Sequence, residues 1–265
     1  MPFVTSKDGT RIGYSVVGAG PAIVLVDGAL CWRASGPSGP LAEQLKDRFT
    51  VYSYDRRGRG ESGDTQPYAI AREVEDLTAV IDAAGGKVVI YAISSGVPLS
   101  LATADALGPD VISKMVLYEA PIYTDTGHRV DPTYVQRLTG LIADGNNAGA
   151  VKLFMRNVGV PGFGLVMMQL MGIVGRLAAV APTLAYDTAL CSPLWTSTPP
   201  PAGIWANARM PVLDVGGGKS DAWMQTAQVA ISRVLPNATH KTLPGQNHMV
   251  AATAIAPMIK DFVLA

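Results

Sequence analysis

The chain has 265 residues, 48% of them hydrophobic and 16% charged, which suits one large domain or one domain carrying an insertion. Lys plus Arg and Asp plus Glu number 21 each, and no run of like charge appears, which argues against nucleic acid or an acidic polymer as a partner. Two cysteines are too few for a disulfide framework, and the first residues lack the apolar core of a signal peptide. We therefore expect a cytoplasmic protein.

Strands and helices alternate along the first 120 residues. "RIGYSVVG" alternates like a strand, and "GPAIVLVDGA" is a continuous apolar run typical of a strand buried on both faces of a parallel sheet. "FTVYSYDRRGRGES" begins as a strand, and an amphipathic helix runs from Ala71 to a double glycine. "KVVIYAIS" predicts another buried strand. "GVPLSLATADAL" predicts a helix that tolerates Pro98 in its first turn, and "VISKMVLYEAP" contains the next strand, which ends at Glu119.

The alternation stops between about 121 and 207, where the patterns indicate helices and loops with little strand. It resumes with the strand "MPVLDVGGG", the helix "AWMQTAQVAISRVLP", the strand "ATHKTLPG" and a last helix from about Ala251. This order predicts an α/β fold with a mostly parallel central sheet and helices on both faces. Residues 1–120 and 208–265 would form the core, and 121–207 would form a helical cap inserted after the sixth strand.

One segment of the predicted cap, 158–175, has 18 residues without a charge, a length that invites a transmembrane interpretation. Five glycines and a proline interrupt it, and such residues punctuate structure. A buried or pocket-facing helix pair is therefore the better interpretation, and we expect no membrane span. The same apolar run could form part of a homodimer surface.

Two adjacent serines follow the buried strand in "VVIYAISSGVPLS", and the spacing of small residues selects one of them. A sharp strand–turn–helix bend needs small residues two positions before and after its tip, because strand and helix approach closely there. Ser94 has alanine and glycine at those positions, whereas Ser95 would have isoleucine and valine. Ser94 is therefore the candidate nucleophile, and the N–H of Ser95 could face an oxyanion. The alternative is that Ser94 merely caps the helix.

A nucleophilic serine needs a base, and the chain has three histidines. His128 falls in the predicted cap and His240 at the start of a late strand. His248 follows the last strand, at the sheet edge where strand ends carry chemistry, so it is the candidate base. The early loop "VLVDGAL" offers a second oxyanion donor, the N–H of Ala29 or of Gly28, although an ordinary Asp-Gly turn is the alternative.

Together these motifs resemble the α/β-hydrolase family over essentially the whole chain. "VLVDGA" is similar to the family's oxyanion loop, with Asp27 in place of a frequent histidine. "YDRRGRGES" is similar to its Asp-x-Arg-Gly-x-Gly-x-Ser loop, whose arginines here would tie the loop down or be solvated. "AISSG" resembles the nucleophile elbow, and "LPGQNHMV" resembles the histidine segment. The resemblance implies the α/β-hydrolase fold, a catalytic triad of serine, histidine and an acid, and no metal or organic cofactor.

The acid of this triad has two candidates. The family's usual acid follows the strand before the last one, where the position falls on Ser220 and Asp221 comes one residue later. Glu119, in "VLYEAP", ends the strand after the nucleophile's helix, and some α/β-hydrolases draw their acid from that strand end. One is the zearalenone lactone hydrolase group, which this chain resembles in an Asp-Gly, a Ser-Ser-Gly and a Glu-x-Pro. Glu119 is the favoured acid, and Asp221 is the alternative.

These expectations define a serine hydrolase that cleaves a carboxylic ester or lactone of a hydrophobic small molecule. The cap would supply an adaptable apolar lining. The residues expected there are Phe154, Met155, Phe163, Met167, Met168, Leu170 and Met171. The alternatives are a C–C bond hydrolase, lyase or cofactor-free oxygenase on the same fold, or a non-catalytic ligand-binding protein.

Overall fold

A computed structural model of the protein describes residues 2–124 and 131–265. Eight strands of these described residues form one sheet in the order β1-β2-β4-β3-β5-β6-β7-β8. Strands β1 and β2 pair antiparallel, β2 pairs antiparallel with β4, and all pairings from β4 through β3 to β8 are parallel. The strands are β1 (Phe3–Thr5), β2 (Arg11–Val17), β3 (Ala22–Val26), β4 (Thr50–Tyr54), β5 (Val88–Ile93), β6 (Ile112–Tyr118), β7 (Val212–Gly217) and β8 (Ala238–Leu243).

Helices cover both faces of this sheet. Core side chains of α2, α3 and α9 pack on one face, and those of α1 and α10 pack on the other. All six residues of β5 are buried for this reason, since a strand covered on both faces has no side open to water. The predicted α/β fold is thereby confirmed. The helices are α1 (Ser38–Leu45), α2 (Ile70–Ala83), α3 (Gly96–Leu107), α4 (Tyr134–Ala143), α5 (Asn147–Asn157), α6 (Gly162–Leu170), α7 (Ile173–Ala178), α8 (Leu184–Cys191), α9 (Ala222–Val234) and α10 (Ala252–Leu264).

Helices α4 to α8 lie between β6 and β7 in the chain, where the alternation of strands and helices stops. Their buried side chains form a separate apolar cluster, which includes Leu138 of α4, Val151 of α5 and Leu184 of α8. Leu30, from the loop after β3, belongs to the same cluster. The helical segment therefore packs directly against the loop in which an oxyanion donor is expected.

Helix α6 differs from its sequence-based interpretation. Its apolar side chains at positions 163, 166, 167 and 170 have a helical spacing and lie on the exposed side, with Phe163 and Leu170 each 76% exposed. The expectation of a buried or pocket-facing helix is therefore wrong for α6. The run is apolar all round, so its periodicity does not distinguish an inner face from an outer one. No helix among the described residues is long and apolar enough to cross a membrane.

Candidate active site

The candidate nucleophile, base and acid meet at one edge of the sheet. Ser94 follows β5, Glu119 follows β6, and His248 follows β8. Strands β5 and β6 are parallel neighbours, so their carboxyl ends lie side by side, and the N–H of Ser94 donates to the carbonyl of Tyr118 at 2.9 Å. All three side chains line one cavity of about 790 Å³.

Ser94 lies at a sharp turn between β5 and α3. Its φ is +57°, in the left-handed region that costs a non-glycine residue energy and recurs at active sites. A Cβ on Gly96 would lie 2.4 Å from the carbonyl oxygen of Val26, and a Cβ on Gly28 would lie 2.7 Å from the Cβ of Ser94. The turn therefore requires glycine at position 96, two residues after the serine, and glycine at position 28 in the loop that faces it; the first is the physical reason for the small residue after Ser94 in the sequence.

The imidazole of His248 is held by Glu119. Its Nδ1 lies 2.9 Å from Glu119 Oε2, and the Glu119 side chain is fully buried while that of His248 is 41% exposed. Glu119 Oε1 accepts the N–H of Gly217 at 2.6 Å and the hydroxyl of Ser220 at 2.5 Å. With both oxygens occupied, the carboxylate has one orientation. It accepts a hydrogen bond from Nδ1–H, which keeps the ring proton on Nδ1 and leaves the lone pair of Nε2 available to accept a proton.

Asp221 does not make this contact. It is exposed, precedes α9 as its N-cap, and lines the cavity. Among the described residues, His248 Nδ1 has its hydrogen bond with Glu119 instead. Ser220, at the position where the family usually carries its acid, instead donates to Glu119. The loop after β7 therefore holds the carboxylate rather than supplying it. Sequence reasoning identified the position of Ser220 but not this role.

The expected oxyanion donors lie beside Ser94. Gly28, Ala29 and Ser95 all line the cavity with it. In the described part of the chain, no hydrogen bond uses the backbone N–H of Ala29 or of Ser95. Two neighbouring amides without an acceptor next to a serine can receive a developing negative charge.

The other histidines do not contribute to this arrangement. His240 Nδ1 lies 2.8 Å from Asp214 Oδ2 across the β7–β8 pair, and His240 is absent from the described residues that line the cavity. His128 lies outside the described residues.

The two cysteines line the same cavity, and their thiols are poor nucleophiles. Burial raises the pKa of Cys31 to about 12 and raises the pKa of Cys191 as well, so both stay protonated at neutral pH. Because the thiolate is the reactive form of cysteine, these environments favour the serine over either thiol.

The arginines of "YDRRGRGES" tie the loop down and are not solvated. Arg56 binds both oxygens of Glu73, at 2.7 and 2.9 Å, and Arg57 binds both oxygens of Asp76, each at 2.7 Å. Arg59 binds Asp187, on α8, at 2.7 Å. Asp187 could not have been identified from the sequence, because a contact across 128 residues leaves no local pattern.

The apolar wall of the cavity differs in part from the expectation. Phe154 and Met155 of α5 line it, as expected. The predicted lining from α6 and the residue after it is wrong for Phe163, Met167, Leu170 and Met171, which are exposed, and Met168 packs in the helical cluster instead. Aromatic side chains take their place in the wall: Tyr123, Tyr134, Trp195 and Trp223.

Among the described residues, no group of three or more His, Cys, Asp or Glu side chains has a geometry that could hold a metal ion.

Asp27, which begins the oxyanion loop, is buried, and burial raises its pKa from 3.8 to about 6. Between about pH 4 and pH 6 this carboxyl is protonated in the folded protein but ionised in the unfolded chain. Raising the pH through this range therefore favours the unfolded chain and lowers the free energy of unfolding. The isosteric Asp27→Asn has no such charge. We expect its free energy of unfolding, relative to wild type, to rise by about 2 kcal/mol from pH 4 to pH 7.

Urea unfolding of both proteins at pH 4, 5, 6 and 7 measures this difference. Taking the difference cancels the other titrating groups, which the two proteins share. A difference independent of pH would contradict the prediction.

The chain belongs to the alpha/beta hydrolase family, whose sequence profile matches residues 16–256. A crystal structure of an alpha/beta hydrolase from Sphaerobacter thermophilus DSM 20745 is similar over 99% of this chain and 100% of that one, with 42% identity and a TM-score of 0.89. The enol-lactonase of Burkholderia xenovorans LB400 shares the fold over the full length of both chains, with 20% identity and a TM-score of 0.69.

A curated relative, the uncharacterized protein Rv2715 of Mycobacterium tuberculosis, is 29% identical over 120 residues, which are 42% of this chain and 33% of that protein. The similarity therefore spans about a third of the length of that relative.

Proposed function

We propose that the protein is a serine hydrolase that cleaves a carboxylic ester or lactone of a hydrophobic small molecule. Ser94 is the nucleophile, His248 the general base and Glu119 the acid that orients it. The observation that carries the proposal is the 2.9 Å contact between His248 Nδ1 and the buried Glu119, in the cavity that Ser94 enters from its strained turn. A serine, a base and an orienting acid together define acyl-transfer chemistry.

The reaction proceeds in two halves. His248 Nε2 takes the proton of the Ser94 hydroxyl as its oxygen attacks the carbonyl carbon, and the imidazolium then gives that proton to the leaving alkoxide. The backbone N–H groups of Ser95 and Ala29 bind the oxyanion of each tetrahedral intermediate. A water molecule, deprotonated by His248, attacks the acyl-enzyme and releases the carboxylic acid and free Ser94. None of these steps needs a metal or an organic cofactor.

The cavity wall supports the proposed substrate class. Apart from the reacting groups and Asp187, its lining is dominated by aromatic and aliphatic side chains, including Phe154, Trp195 and Trp223. Such a wall favours a hydrophobic acyl or alcohol part. We assign 121–207 to a cap over a core of 1–120 and 208–265, because α4, α5 and α8 each contribute side chains to the cavity. The existence of an enol-lactonase with this fold is consistent with a lactone as substrate.

A fluorophosphonate probe tests the nucleophile directly. We expect one probe per chain, attached to the peptide that contains Ser94, because the probe's tetrahedral phosphorus mimics the intermediate of acyl transfer. A panel of p-nitrophenyl esters and macrocyclic lactones then tests turnover, and a hydrophobic member is expected to be hydrolysed fastest. Folded protein that stays unlabelled would rule out the serine nucleophile. Labelling without turnover of any ester or lactone would favour another reaction of the fold.

A further inference from the structure

Asp187 is a buried carboxylate beside the turn that holds Ser94. It comes from α8, in the helical segment, and is 3% exposed. Its Oδ1 lies 2.8 Å from Arg56 Nη1 and its Oδ2 lies 2.7 Å from Arg59 Nη2. Burial alone would raise its pKa, but the two guanidinium groups hold the pKa below its ordinary value, so the carboxylate is ionised. The mechanism above uses neither Asp187 nor the arginines.

The first link runs from Asp187 to one of the two oxyanion donors. The hydroxyl of Ser95 donates to Asp187 Oδ1 at 2.7 Å and accepts from Arg56 Nη1 at 3.2 Å. Ser95 is the residue whose N–H faces the oxyanion. Two hydrogen bonds to a buried ion pair hold its side chain and so restrain the backbone between β5 and α3.

The second link runs to the other donor. Arg59 binds Asp187 through Nη2 and donates through Nη1 to the carbonyl oxygen of Gly28 at 2.6 Å. That carbonyl and the N–H of Ala29 belong to one planar peptide unit, so an arginine that fixes the C=O also fixes the direction of the N–H. A cation at the carbonyl oxygen polarises the peptide and makes its N–H a stronger donor.

We propose that Asp187 and Arg59 are positioning residues that set the spacing and polarity of the oxyanion hole. One carboxylate connects donors that come from two separate loops, after β3 and after β5. The inference rests on the proposed hydrolase function and adds residues that act on the oxyanion through its two backbone donors. The competing explanation is that Asp187 only ties the helical segment to the sheet. In that case its loss would affect stability and not the transition state.

The chain offers a matched control in Asp76. It forms the same kind of buried pair with Arg57 of the same loop, yet it contacts neither Gly28 nor Ser95. With p-nitrophenyl butyrate as substrate, we expect Asp187→Asn to lower kcat by about 10- to 100-fold, with KM changed by less than about threefold, since displaced donors weaken the transition state more than the bound ester. Asp76→Asn is expected to keep kcat within about threefold of wild type.

A trifluoromethyl ketone, whose adduct with Ser94 places an oxyanion in the hole, gives a second readout. Its inhibition constant should rise in Asp187→Asn by the same factor as kcat/KM falls, while binding of a matched ether, which carries no oxyanion, stays unchanged. If the kcat of Asp187→Asn stays within threefold of wild type, or if Asp76→Asn loses as much, the positioning role is wrong.

A milder variant covers the case in which Asp187→Asn does not fold. Ser95→Ala removes the hydroxyl bound to Asp187 but keeps the backbone N–H, and it should lower kcat by about 3- to 10-fold with the same pattern toward the ketone. An unchanged kcat in Ser95→Ala would then overturn the inference. Wild-type labelling and turnover separate the two proposals. If the wild type is active and Asp187→Asn has an unchanged kcat, only the positioning role is refuted. If the wild type is inactive and unlabelled, both the positioning role and the hydrolase function are refuted.

Discussion

Replacing Ser94 by alanine is expected to lower kcat for ester hydrolysis by about 10⁶-fold and to abolish fluorophosphonate labelling, because the group that forms the acyl-enzyme is gone. The fold should survive the change. Alanine carries the same Cβ through the turn at φ +57°, and Ser94 Oγ makes no hydrogen bond on which the described structure depends. Steady-state kinetics with a p-nitrophenyl ester and mass spectrometry of the labelled protein measure both effects.

Ser95→Ala is the matched control, because it removes the neighbouring hydroxyl from the same turn. It should retain labelling, at a reduced rate, since the nucleophile is intact. If Ser95→Ala lost the label and Ser94→Ala kept it, the two serines would have to exchange roles.

Replacing Glu119 by glutamine is expected to lower kcat by about 10⁴-fold, an effect typical of the wrong histidine tautomer. The N–H of Gly217 and the hydroxyl of Ser220 both donate to Glu119 Oε1, so the glutamine must place its carbonyl oxygen there. Its NH₂ group then points at His248 Nδ1 and requires that nitrogen to accept. The ring proton moves to Nε2, which can no longer act as a base.

Asp221→Asn is the control for this change, because Asp221 is the other carboxylate at the same edge of the cavity. It is expected to leave kcat within about threefold of wild type. Measuring kcat for both variants on one ester decides the assignment. A loss confined to Asp221→Asn would transfer the role of acid to Asp221.

The parts of the fold and site that the sequence predicts are those governed by spacing along the chain. Small residues around Ser94 identify the turn, and continuous apolar runs identify strands covered on both faces. The place of Glu119 at a strand end favours it over Asp221, and the structure shows its contact with His248, which the sequence alone only suggests.

The parts that could not be predicted depend on contacts between distant segments. Asp187 looks like an ordinary helical aspartate until α8 brings it to Arg56 and Arg59. The exposed face of α6 cannot be predicted from the sequence, because a helix with apolar residues on every side has no polar face to indicate which side meets solvent. The hydrogen bond from Ser220 to Glu119 depends on the path of a glycine-rich loop, and the spacing of residues in the sequence does not determine that path.

Glu119 precedes the helical segment in the chain, whereas His248 follows it, so a break within that segment would separate the two residues. Ser94 and Glu119 lie on the two neighbouring strands β5 and β6, whereas His248 comes after β8. A chain cut between β6 and β7 would leave the serine and the carboxylate on one fragment and the imidazole on the other. Neither fragment would hold all three residues of the proposed triad, so recovered ester hydrolysis would serve as a reporter of fragment complementation.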